Sequence, residues 1–129
     1  MSDSDYSYVS SLSLAHLGDA VFELMVRTYF IKQGTGDVTD LHKKTVSVVN
    51  AASQAQMAKI LVPNLNEDEL AVFKRGKNAK INTLPKNSSL ADYHAATALE
   101  TLFGYLWLKN RTDRLDYLFT LILESINGV

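Results

Sequence analysis

A chain of 129 residues with 47% hydrophobic side chains can build a core without covalent staples, so one compact domain over 1–129 is expected. With no cysteine, disulfides and thiolate metal sites are excluded; any metal falls to carboxylates, histidines and water, a donor set that favours a hard cation such as magnesium. The net charge of −1 hides an uneven distribution, because Leu41 to Ala91 carries Lys43, Lys44, Lys59, Lys74, Arg75, Lys77, Lys80 and Lys86 against Glu67, Asp68 and Glu69, net +5, which leaves −6 for the flanks.

Along the chain, residues 1–11 read as an irregular segment. Asp3 and Asp5 stand where a secretion signal would need basic residues, and no stretch reaches the roughly 18 uninterrupted apolar residues of a membrane span, so a cytosolic protein without a membrane partner is expected. The hydrophobic pattern beyond is helical throughout, with no period-two alternation, and predicts an all-α fold of about six helices. The first runs from about Leu12 to Lys32. Thr39 is the expected N-cap of a second, and helical residues continue to about Val62, with a break near Asn50 and Pro63 as terminator. Asn66 caps a helix whose first turn, Glu67-Asp68-Glu69, suits the dipole and which ends at about Arg75 before Gly76. An irregular basic loop follows. Ser89 with Asp92 opens a long helix to about Leu108, and Thr112 opens an amphipathic one to about Ile126.

Two acids stand out on this frame. Glu100 is the one charged side chain from Tyr93 through Leu108, on a face shared with Tyr93, Ala96, Thr97, Phe103, Gly104 and Trp107. Burying an unpaired carboxylate costs several kcal/mol, so a partner is required: an arginine, a lysine, a proton or a metal. The first helix is apolar around most of its circumference except for a stripe of His16, Asp19, Glu23 and Arg27. Ala15 and Gly18 near Asp19, and Ala96 and Gly104 near Glu100, are small enough for the two helices to cross closely and bring the carboxylates face to face. A divalent cation would keep both ionised, whereas a structural network of Asp19, Glu23, His16 and Arg27 would need none; the residues alone leave both open.

The motif His16-Leu17-Gly18-Asp19-Ala20-Val21 resembles the LGDAV signature of the ribonuclease III family. Leu90-Ala91-Asp92 with Glu100-Thr101-Leu102-Phe103-Gly104-Tyr105-Leu106 is similar to the family's second acidic helix. The segments Asp40-Leu41-His42-Lys43-Lys44 through Asn50-Ala51-Ala52-Ser53-Gln54-Ala55, and Lys74-Arg75-Gly76-Lys77-Asn78-Ala79-Lys80, resemble its short branch, Mini-ribonuclease III. Four blocks in order cover the chain from about Leu12 to Leu108.

The resemblance implies an all-α ribonuclease III-type endonuclease domain working as a homodimer. It also implies metal-dependent cleavage of double-stranded RNA to 5′-phosphate and 3′-hydroxyl ends. Asp19 and Glu100 fall on the catalytic acids and would hold Mg2+, with Mn2+ as a substitute. Two departures reduce the acid set: the positions where longer enzymes carry further acids hold Ala15 and Thr97. His16, Glu23 and Asp92 are candidates to complete the shell through water. The longer members add a double-stranded RNA-binding domain that is not expected here, so Lys74, Arg75, Lys77, Asn78, Lys80 and Lys86 would contact the duplex. The short branch implies maturation of the large-subunit ribosomal RNA precursor, with a ribosomal protein as possible partner. A rival reading is a non-catalytic RNA-binding helical dimer in ribosome assembly. Tyr6, Tyr8 and the α-helical face Leu115, Leu118, Ile122 and Ile126 are candidates for the dimer surface.

Overall fold

The computed structural model describes residues 6–80 and 89–127. Among them are six α-helices and no strand: α1 Ser11–Lys32, α2 Val38–Val48, α3 Ala51–Leu61, α4 Glu67–Lys77, α5 Leu90–Leu108 and α6 Thr112–Ile126, with a 3-10 turn at Val62–Asn64. The expected all-α class and helix order are therefore observed. None of these helices is long and apolar enough to cross a membrane.

Local chemistry explains most of the boundaries. Ser10 caps α1 through a bond from Ser13 N. Asn50 Oδ1 accepts from Ser53 N at 2.9 Å and so separates α2 from α3 at the expected break. Asn66 and Glu69 form a reciprocal capping box at α4. Asn110, at φ 57°, takes the left-handed conformation that ends α5 and turns the chain into α6.

Two boundaries differ from the sequence expectation. The cap of α2 is Asp37, whose carboxylate accepts from Asp40 N at 3.1 Å, so Thr39 lies inside the helix. Helix α4 does not stop before Gly76 but runs through it to Lys77. The glycine is there for packing: a Cβ on it would lie 2.4 Å from Thr101 Oγ1. Lys74, Arg75 and Lys77 thus stand on the last turn of a helix, where cations suit the dipole, and not in an irregular loop.

Helix α5 is the central element, packed against α1, α3, α4 and α6. Its Leu99, Leu102, Phe103 and Leu106 are fully buried together with Phe22 of α1, Leu61 of α3, and Leu118 and Ile122 of α6. Phe22 meets the edges of Phe103 and Phe119 at centroid distances of 5.5 and 6.3 Å. This packing corrects one expectation. Leu115, Leu118 and Ile122 are consumed by the monomer's own core and offer nothing to a dimer surface; only Ile126 of that face stays exposed, as does Tyr8. A second clasp joins α4 to α6: the fully buried Glu69 accepts from Arg114 at 2.6 and 2.8 Å, and the same guanidinium reaches Asn64 O at 3.1 Å.

Candidate active site

The crossing of α1 over α5 is set by two glycines that face each other's backbones. A Cβ on Gly18 would lie 1.7 Å from Glu100 O, and one on Gly104 would lie 2.1 Å from Leu14 O. Only hydrogen fits at either position, so the helices come closer than any side chain would allow. Asp19 is the next residue after Gly18, and Glu100 supplies the carbonyl against which Gly18 packs. The close crossing is what brings the two carboxylates together.

They share an open pocket of about 220 Å³ lined by Leu12, Ala15, His16, Asp19, Tyr93, Thr97 and Glu100. The two acids are not equivalent there: Asp19 is exposed, whereas Glu100 is largely covered. Burial, the charge of the facing Asp19 and a hydrogen bond with it push Glu100 up to about 8, against the opposing pull of Gln54. Without a cation, the pair retains a proton near neutral pH. Gln54, buried on α3, donates from Nε2 to Glu100 Oε2 at 3.4 Å. Sequence reading missed this residue. Its signal was an amide in register with Met57, Ala58 and Leu61 on the buried stripe of α3.

The other expected site residues divide. His16 lines the acidic pocket. Glu23 instead pairs with Arg27 one turn on. Asp92 lines a different and more voluminous cleft, about 550 Å³, between α3, α4 and the start of α5, together with Lys59, Phe73, Lys77, Asn78 and His94. That cleft is larger, but it brings no two carboxylates together, whereas the smaller acidic pocket holds Asp19 and Glu100 side by side. Ala15 and Thr97, at the two positions where the resemblance implies further acids in longer enzymes, form part of the acidic pocket's wall. Among the described residues no group of three or more histidines, aspartates or glutamates could hold a metal ion. The donors that do converge are two carboxylates, hard oxygen ligands that suit magnesium, which keeps several of its own waters.

Among the described residues, the expected RNA-binding side chains do not share one cleft. Lys77 and Asn78 border the larger cleft, while Arg75 lies on another side of α4, in a smaller cleft with Tyr6, Tyr105 and Lys109. Lys74 and Lys80 are exposed, and Lys86 lies outside the described residues.

An all-helical domain carrying a facing Asp–Glu pair at a glycine-locked helix crossing has the makings of a metal-assisted hydrolase. Comparison with known proteins narrows this class. Residues 12–111 match the Ribonuclease III domain. The chain is 43% identical over 121 residues to the Mini-ribonuclease 3 of Clostridium tetani (strain Massachusetts / E88), covering 93% of this chain and 80% of that one. It is 34% identical to the Mini-ribonuclease 3 of Enterococcus faecalis (strain ATCC 700802 / V583), covering 95% and 94%. The crystal structure of a Fusobacterium nucleatum protein superposes with a TM-score of 0.85 at 30% identity, over 94% of this chain and 98% of that one. The chain belongs to the ribonuclease III family, among relatives of the Mini-ribonuclease 3 type, and is an endoribonuclease of that family.

Proposed function

We propose that this protein cleaves double-stranded RNA in a divalent-metal-dependent reaction, with Asp19 and Glu100 as the catalytic, metal-holding pair. The observation that carries this reading is the Gly18–Gly104 crossing, which forces two carboxylates together with no arginine or lysine of the described residues between them. Two acids held this way without a cationic side chain have a physical rationale as a cation site and a poor one as structure. When bound there, Mg2+, or Mn2+ in its place, supplies an activated water and neutralises charge on the scissile phosphate.

The chain's own groups do the rest. Glu100 and Asp19 would hold the cation, Glu100 as the covered ligand that has to be deprotonated and Asp19 as the more exposed one. Tyr93 and Thr97 wall the pocket, and His16 stands at its edge to bond a water. Lys77 and Lys80, with Lys74 and Lys86, provide phosphate contacts along an A-form duplex, which is recognised mainly by shape. We read the active species as a homodimer, whose two-fold axis matches the antiparallel strands of the substrate. Leu24, Ile31 and Val38, exposed on α1 and at the start of α2, are apolar surface that a second copy would cover. The ribosomal RNA precursor as substrate and a ribosomal protein as helper are carried over from the likeness to the short branch, and the 5′-phosphate ends from the likeness to the family as a whole; the cytosolic setting stays the sequence expectation given above.

The test is incubation with a long RNA duplex, with and without Mg2+, comparing wild type with Asp19→Asn. We expect wild type to cut only with the metal, leaving 5′ phosphates, and the variant to stay folded but inactive. A wild type that binds the duplex yet leaves it intact under every divalent ion would instead establish a non-catalytic RNA-binding module.

A further inference from the structure

Two glutamates of this molecule lie against other helices, and they are partnered in opposite ways. Glu69 is closed off: Arg114 occupies both its oxygens, and no charge is left over. Among the described residues Glu100 has no cationic partner; beside Asp19, its neighbour is the Gln54 amide. Gln54 is 4% exposed on a helix whose other buried residues are Ala55, Met57, Ala58 and Leu61. An amide without a partner in such packing costs about 1–3 kcal/mol, so a hydrocarbon side chain would suit this seam better if packing were its sole task.

Resting on the functional reading above, we propose that Gln54 is a positioning residue that holds the Glu100 carboxylate towards Asp19 for cation binding. The choice of an amide follows from charge. A lysine or arginine at position 54 would neutralise Glu100 as Arg114 neutralises Glu69, and would compete with the incoming cation. A neutral donor fixes one carboxylate oxygen and leaves the pair's full negative charge for the metal. At 3.4 Å the bond is a long one, and it engages one of the two carboxylate oxygens. Because the amide comes from α3, it ties a third helix to a site otherwise built on α1 and α5 alone. An outer group of this kind fixes the ligand's direction before the metal arrives, and removing it weakens metal affinity by about 10–100-fold in comparable sites.

The experiment uses the full chain and Mg2+ alone as probe. Gln54→Met keeps the length and volume of the side chain and removes its donor. Calorimetric titration is expected to show Mg2+ affinity reduced about tenfold or more, whereas saturating Mg2+ returns duplex cleavage to within about twofold and leaves KM for RNA unchanged. A merely structural role would lower thermal stability without moving the Mg2+ affinity. Independently of any variant, only Gln33, Gln54 and Gln56 contribute glutamine side-chain signals, so 15N-glutamine labelling of wild type isolates this amide. Its NH2 resonance should shift with the same Mg2+ midpoint as calorimetry. A folded Gln54→Met protein that binds Mg2+ as wild type does, or a Gln54 resonance that stays still while wild type binds the metal, overturns the assignment and leaves the functional reading standing. A wild type that neither binds Mg2+ nor cuts the duplex overturns both.

Discussion

Glu100 and Glu69 are the same side chain in opposite electrostatic settings, and each leaves its own mark on stability. For Glu100, burial and the facing Asp19 raise the folded-state value above the ordinary 4.5 to about 8. Its contribution is therefore fully present below 4.5 and is lost as pH climbs towards 8. For Glu69, burial pushes upward but the Arg114 bonds and the Asn66 amide prevail, so the net shift is downward. Its contribution is present above 4.5 and fades as acid protonates it. In chelator, wild-type unfolding free energy should fall by up to about 1.4 kcal/mol per pH unit between pH 5 and 8, and Glu100→Gln should remove that slope. Urea unfolding at several pH values measures it; parallel profiles for the two proteins would assign the titration to another group. Adding Mg2+ should stabilise wild type and not the variant.

At the scale of elements, the site depends on how α1 and α3 meet α5, and the scaffold on how α4 meets α6. Gly18→Ala and Gly104→Ala each place a methyl group inside a backbone contact, so the helices must separate. We expect a loss of about 1–3 kcal/mol in each case, with Mg2+ affinity falling alongside because the carboxylates part. Gly36→Ala, at a position with nothing within 4 Å of its Cβ, is the control and should change stability by about 0.5 kcal/mol or less. The Glu69–Arg114 clasp, in contrast, serves only the scaffold. Arg114→Met strands a fully buried carboxylate and should lower stability by about 3–5 kcal/mol, read from chemical denaturation, with Mg2+ affinity unchanged in the folded fraction.

Over the whole molecule, a net charge of −1 is compatible with RNA binding because the basic residues are collected in the middle of the sequence. Folding then distributes them. Lys77 borders one cleft while Arg75 borders another, so they cannot contribute equally to a single duplex track. Replacing Lys77 and Lys80 together by alanine should reduce the salt dependence of duplex binding by about one unit of log–log slope per lysine. Arg75→Ala should change that slope by less than either. Filter binding across a salt series decides this, and equal effects at all three positions would mean that the duplex wraps around α4.

The sequence alone carried the helix order, the break at Asn50, the acid pair and the small residues beside it, because these are local patterns: period, caps, and side-chain size next to charge. It misplaced the end of α4 because glycine has two uses, terminating a helix and admitting a neighbour, and only the position of Thr101 distinguishes them. It read Glu69 only as one of three first-turn acids suited to the helix dipole, since Arg114 lies 45 residues away and nothing local marks that partnership. It assigned Leu118 and Ile122 to a possible dimer surface because an apolar stripe does not say which core it enters. Gln54 beside Glu100, and the separation of Glu23 and Asp92 from the acidic pocket, were likewise decided only by tertiary packing. Periodicity fixes which face of a helix is buried, whereas the crossing of α1 and α5 determines what that face meets.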